Sequence, residues 1–112
     1  MNKLKQISMR REAAHNKLLS LKSEVYQAFL EMEKAAFSDG ALPKKHKELI
    51  AIGISVVIDC ESCMQWHIEQ AAKAGASVQE VLEAVEVAME MGGGPATVFA
   101  RFALEVMAQV FK

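Results

Sequence analysis

The two cysteines of this chain, Cys60 and Cys63, stand three residues apart, and His67 follows four further on. A carboxylate, Glu48, lies upstream, so the set reads E-x11-C-x2-C-x3-H. On a helix those offsets put Cys60, Cys63 and His67 on one face. A thiol pair with a proton carrier and an acid alongside reads as thiol–disulfide chemistry. One helical turn separates the two Cα atoms by about 5–5.5 Å, a span that a disulfide accepts. Cys60 falls near the positive end of its helix, where a thiolate is favoured. Cys63 lies one turn deeper, but His67 is four residues on, a good spacing for a base that takes its proton. Asp59 and Glu61 add negative charge beside Cys60 and oppose its ionisation. These effects nominate different nucleophiles, and spacing does not choose between them.

The elements that must position these groups read as helices. From Leu4 to Ala35 apolar residues recur at offsets of three and four, broken only at Arg11, which predicts a helical seam closed by Ser38-Asp39-Gly40. Pro43 suits the first turn of a second helix, running to about Ile58. Its second half is apolar all round and is expected to be buried on several sides. Gly53 within it suggests a close helix contact. Asp59 is placed to cap a third helix, Cys60 to Ala74, ended by Gly75. Ser77-Val78-Gln79-Glu80 matches a capping box for a fourth, stopped by Gly92-Gly93-Gly94, and Pro95 starts a fifth. Nothing alternates with period two, so the expected fold is an all-α bundle of five to six helices. One domain, 1–112, is expected, with a helical arm over 1–40 and a core over 43–112 that carries the site.

A hairpin of the second and third helices would bring the acid to the imidazole. Glu48 lies 11 residues before Asp59 and His67 eight after it. At 1.5 Å per residue the mismatch along the axes is about 4–5 Å, so the two side chains come nearly level, as a proton relay needs.

Composition bounds the rest. The 112 residues are 52% hydrophobic, slightly high for one domain, which hints at buried subunit contacts. Net charge is −1, with 13 basic and 14 acidic residues, so no long-range field draws the chain to nucleic acid. The basic groups Lys44, Lys45 and Lys47 read as a solvated face. The N-terminal residues MNKLKQISMRREAAH lack the apolar core of a secretory signal. The longest apolar run, Leu49–Ile58, is far short of the roughly 20 residues that cross a bilayer, so no membrane span is expected. A cytoplasmic location follows by default, and there a CxxC pair is catalytic or metal-binding more often than a structural staple.

The four-point pattern Glu48, Cys60, Cys63, His67 resembles the active-site motif of the AhpD-like alkylhydroperoxidase branch of the carboxymuconolactone decarboxylase family. The resemblance extends from about Pro43 to the Gly-Gly-Gly-Pro segment, roughly half the chain. It implies a thiol-dependent peroxidase or disulfide oxidoreductase. Cys63 would be the peroxide-attacking thiol, Cys60 the resolving thiol, and His67 with Glu48 the proton relay. It also implies a homo-oligomer, a hexamer built as a trimer of dimers. No bound cofactor is implied; the reductant would be an external dithiol, such as a lipoylated carrier. The chain departs from AhpD proper at Ser62, where that protein has a histidine before the second cysteine.

Three rivals stand beside this reading. Cys60, Cys63, His67 and Glu48 could hold Zn²⁺, though structural zinc usually joins two chain segments and three of these ligands share one helix. The disulfide state could control a partner without turnover, as a redox switch. Decarboxylase-like activity is the third, disfavoured because that branch lacks the cysteine pair. Trp66 reads as packing, Met32, Met89, Met91 and Met107 as core or interface filler, and His15 and His46 as surface residues without company.

Overall fold

A computed structural model describes residues 2–112. Five helices follow in order: α1 (Lys3–Ser20), α2 (Glu24–Ala36), α3 (Lys44–Val57), α4 (Glu61–Lys73) and α5 (Val78–Val110), with no strand among the described residues. They form two compact units, one ending at Ser38 and the other spanning Asp39–Lys112.

In the first unit the seam expected from Leu4 to Ala35 is two helices rather than one. The chain leaves α1 through a Schellman turn: Lys22 takes a left-handed φ of 56°, its N–H bonds to Leu19 and that of Ser23 bonds to Leu18. Ser23 then caps α2, its hydroxyl accepting from the Tyr26 N–H at 3.1 Å. The apolar period continues through this break, which is why periodicity alone does not reveal it. His15 Nδ1 lies 2.5 Å from the Tyr26 hydroxyl, joining α1 to α2. Neither helix contains a buried residue; Val25 and Met32 stay open to solvent.

The second unit holds the core. Helices α3 and α4 pack on each other and on α5. Ile52 and Val56 of α3, Met64 and Ile68 of α4, and Val81, Val85 and Val106 of α5 are buried within it. Burying each such side chain contributes about 1.5–3 kcal/mol. A methyl group on Gly53 would meet the carbonyl oxygen of Ala84 at 3.5 Å, the contact expected of α3 with a neighbour.

Two local expectations are corrected. Asp59 does not cap α4. It takes a left-handed φ of 55° and ends α3 in a second Schellman turn, its N–H bonding to Val56 and that of Cys60 to Ser55. Cys60 is therefore itself the N-cap of α4. The expected stop at Gly92–Gly94 is present: Gly93 leaves the helical region (φ 70°, ψ −155°), so two helical segments meet at a kink within the span labelled α5. Pro95 falls in the first turn after the kink, where its missing N–H costs least. Finally, the second half of α3 is not buried on several sides. Ile50, Ile54 and Ile58 are exposed opposite the buried face.

The capping box at Ser77 forms as expected, with the Ser77 N–H donating to Glu80 Oε1 and the Glu80 N–H to Ser77 Oγ. That bond from Ser77, followed by the Lys45 ammonium 3.0 Å away, holds the Glu80 carboxyl below its ordinary value of 4.5. A carboxylate depressed in the folded state stabilises the fold above its ordinary value and loses that contribution as pH falls through the lower folded value. Comparison of Glu80→Gln with the parent by urea unfolding is expected to show the variant weaker at neutral pH. The gap should close in acid below 4.5, and a gap that persists there would contradict the account.

Candidate functional site

The site is assembled at the α3–α4 corner, within the second unit. The stripe of α3 that faces the core carries Glu48, Ile52, Ser55 and Val56, spaced by four, three and one, so Glu48 occupies a core position. The Schellman turn at Asp59 then reverses the chain in two residues and delivers Cys60 directly to the start of α4. This is a sharper corner than a capped loop would give, and it fixes Cys60 with both its backbone and its side chain. The Cys60 sulfur accepts the Cys63 N–H at 3.2 Å, one of the four amides that a helix start leaves without a partner.

Cys60 and Cys63 are joined by a disulfide, with Cα atoms 5.2 Å apart, and both are half-buried. One turn along α4 from Cys63, His67 turns its Nδ1 to Glu48 Oε1 at 2.7 Å. Glu48 is 2% exposed and His67 16%. The acid and the imidazole, 19 residues apart in sequence, thus meet across the hairpin.

A carboxylate this deeply buried needs partners for both oxygens, since an unpaired buried charge costs several kcal/mol. The second oxygen, Oε2, lies 2.5 Å from the Lys44 ammonium. No buried side-chain nitrogen or oxygen among the described residues lacks a partner. An ionised carboxylate only accepts, so facing one the ring nitrogen Nδ1 is the donor.

All four residues singled out from the sequence, Glu48, Cys60, Cys63 and His67, come to this one corner. Lys44 is the participant that the sequence reading missed. It was grouped with Lys45 and Lys47 as a solvated face, yet Lys44 pairs with Glu48 and Lys45 with Glu80. The signal available was its position four residues before Glu48, on the same helical face. Trp66, next to His67 in sequence, is 37% exposed and belongs to the rim rather than the core. Of the four methionines read as core or interface filler, Met107 is buried, Met89 half-buried, and Met32 and Met91 are exposed. Among the described residues no three His, Cys, Asp or Glu side chains are gathered as a metal ion requires, and the two sulfurs are bonded to each other.

Comparisons with known proteins bear on the family and the fold. A model of the carboxymuconolactone decarboxylase family matches residues 23–106. An uncharacterized protein from the cox locus of Paracoccus denitrificans is 38% identical over 88 residues, 79% of each chain. The crystal structure of an apo carboxymuconolactone decarboxylase family protein from Legionella pneumophila superimposes with a TM-score of 0.93 at 34% identity, covering 100% of both chains. A family member from Thermotoga maritima, for which involvement in an antioxidative response has been suggested, gives a TM-score of 0.81 at 28% identity over 94% of this chain and 88% of its own.

Proposed function

Because the chain belongs to the carboxymuconolactone decarboxylase family, we propose that it is a thiol-dependent peroxidase of the AhpD-like kind, cycling through the Cys60–Cys63 pair. The observation that carries this reading is a disulfide across the first turn of α4 with a carboxylate-held imidazole one turn further on. The antioxidative response suggested for the Thermotoga maritima protein is in line with it.

In the reduced enzyme, Nε2 of His67 takes the Cys63 proton, directly or through one water. The thiolate attacks the outer oxygen of a hydroperoxide and breaks the O–O bond. The leaving alkoxide takes a proton from the imidazolium and departs as an alcohol, and Cys63 becomes a sulfenic acid. The Cys60 sulfur then attacks the sulfenic sulfur; its own proton leaves with the hydroxyl as water, and the disulfide forms. An external dithiol returns two electrons by thiol–disulfide exchange. One thiol attacks the Cys63 sulfur and expels Cys60 as a thiolate, a leaving group that the Cys63 N–H and the helix start both stabilise. The second thiol then attacks the reductant's sulfur of the mixed disulfide, closes the reductant's own disulfide and frees Cys63. The net change is one hydroperoxide and one dithiol to one alcohol, one water and one disulfide. A lipoyl-type dithiol on a carrier protein is the reductant that the family resemblance suggests, and such cycling suits a reducing compartment.

Steady-state turnover with a panel of hydroperoxides and dithiols tests the proposal. Continuous consumption of peroxide in step with oxidation of the dithiol is expected. A single stoichiometric oxidation without recycling would instead identify a redox switch.

The same reading makes the protein a homo-oligomer. Ile50, Ile54 and Ile58 of α3 and Val87 and Met91 of α5 are exposed apolar side chains that a second copy would cover. Light scattering should return a multiple of the 12.3 kDa chain mass, and a particle of 12.3 kDa would count against the assembly.

A further inference from the structure

We infer that Lys44 is a positioning residue of the site: by holding Glu48 Oε2 it fixes the carboxylate with Oε1 toward His67 Nδ1 and so keeps the ring proton on that nitrogen. This inference rests on the peroxidase reading for its catalytic consequence, though not for its structural one.

Lys44 is poorly placed to serve its own helix. It is the first residue of α3, where the positive end of the helix dipole repels a cation. Lysine four residues before glutamate is also the weaker order of such a pair on a helix surface. What the placement does is bring an ammonium to the one oxygen of a buried acid that His67 leaves over. The chain holds it there from the backbone side as well. Pro43 has no side-chain cap to offer, and the Lys44 N–H is instead taken by Asp39 Oδ1 at 2.7 Å. The stem is thus pinned at its root, while the side chain as a whole is 41% exposed.

The consequence follows from the two proton arrangements open to the pair. With Glu48 ionised, Oε1 accepts from Nδ1–H and Nε2 is a lone pair able to receive the thiol proton. If Glu48 captures a proton, its hydroxyl donates to Nδ1 and the ring carries its own proton on Nε2. That nitrogen is then a donor and cannot deprotonate Cys63. An ammonium on Oε2 favours the first arrangement, because its bond to a carboxylate is charge-assisted and its bond to a carboxylic acid is not.

The test is carried out on the full reduced chain, with 15N-labelled histidine. The protein has three histidines, and the His67 signals are assigned by their loss in His67→Asn. In the parent, the His67 nitrogen shifts should report the Nδ1–H tautomer. In Lys44→Gln they should move toward Nε2–H, while the helical circular dichroism stays unchanged. Lys44→Arg, which keeps the cation, should restore the parent pattern. Hydroperoxide turnover, measured alongside, should fall by about tenfold in Lys44→Gln, as a proton acceptor correctly set in a tenth of the molecules would give. It should recover to within a fewfold in Lys44→Arg, with the effect on kcat rather than KM. An unchanged tautomer in Lys44→Gln overturns the inference whatever the turnover. A shifted tautomer in a parent that shows no peroxidase activity leaves Lys44's role standing and removes the peroxidase reading instead.

Discussion

Cys63→Ser protein is expected to consume no hydroperoxide above background, a loss on the order of 10³-fold or more, because the nucleophile itself is gone. The matched variant, Cys60→Ser, should fail differently. Its Cys63 can still be oxidised once, but the sulfenic acid then has no neighbouring thiol to attack it. A sulfenic-acid trap such as dimedone should label Cys60→Ser after a single equivalent of peroxide and should leave Cys63→Ser unlabelled. This asymmetry is the part that distinguishes the two sulfurs. The structure alone gives Cys60 the cap position and the Cys63 N–H, and gives Cys63 the histidine one turn on. Labelling in Cys63→Ser instead of Cys60→Ser would reverse the roles, and parent-rate turnover in Cys63→Ser would remove the thiol mechanism.

The second large effect is expected at Glu48. Glu48→Gln keeps the size of the side chain and removes its charge, so turnover should drop by about 10²-fold, the lower range of what a positioned proton carrier contributes. An amide can present its NH₂ or its oxygen to Nδ1, so it no longer selects one tautomer of His67. The cost to stability should stay below the ~3–5 kcal/mol of an uncompensated buried charge, because the half-exposed Lys44 ammonium can turn to water. Kinetics and chemical denaturation of the same sample separate the two effects. Glu48→Gln with parent kinetics would show that the proton leaves Cys63 by another route.

The site was legible in the sequence because its geometry is almost wholly local. Three of its residues share one helix, and the fourth sits about as far before a single corner as His67 sits after it. Any tight reversal near Asp59 brings them level. Lys44 was hidden by its neighbours, since three basic residues within four positions look like solvated surface and burial of Glu48 is needed to see otherwise. The helix boundaries separate along a similar line. Gly75 ends α4 as read, because glycine announces a left-handed residue. Lys22 and Asp59 take the same conformation without that signal, and each end was misread in consequence: one helix was joined that should be parted, and a terminator was taken for a cap. At Gly92–Gly94 the glycines mark the break as read, and Gly93 is the residue that leaves the helix. The His15–Tyr26 contact joins two helices, and nothing in the spacing of those residues marks it. Exposure of Ile50, Ile54 and Ile58 belongs to a further level, as an apolar helix face does not say whether its own chain or another covers it.

The most direct trial of the redox pair needs only the purified protein and one oxidant. Fully reduced chain is mixed with one equivalent of a hydroperoxide, quenched by alkylation and mapped by mass spectrometry. The expected product has lost two hydrogen atoms, takes up no alkylating agent and yields a peptide in which Cys60 and Cys63 are joined. Protein that keeps both thiols free, or that is oxidised without a bond between those two sulfurs, would contradict it.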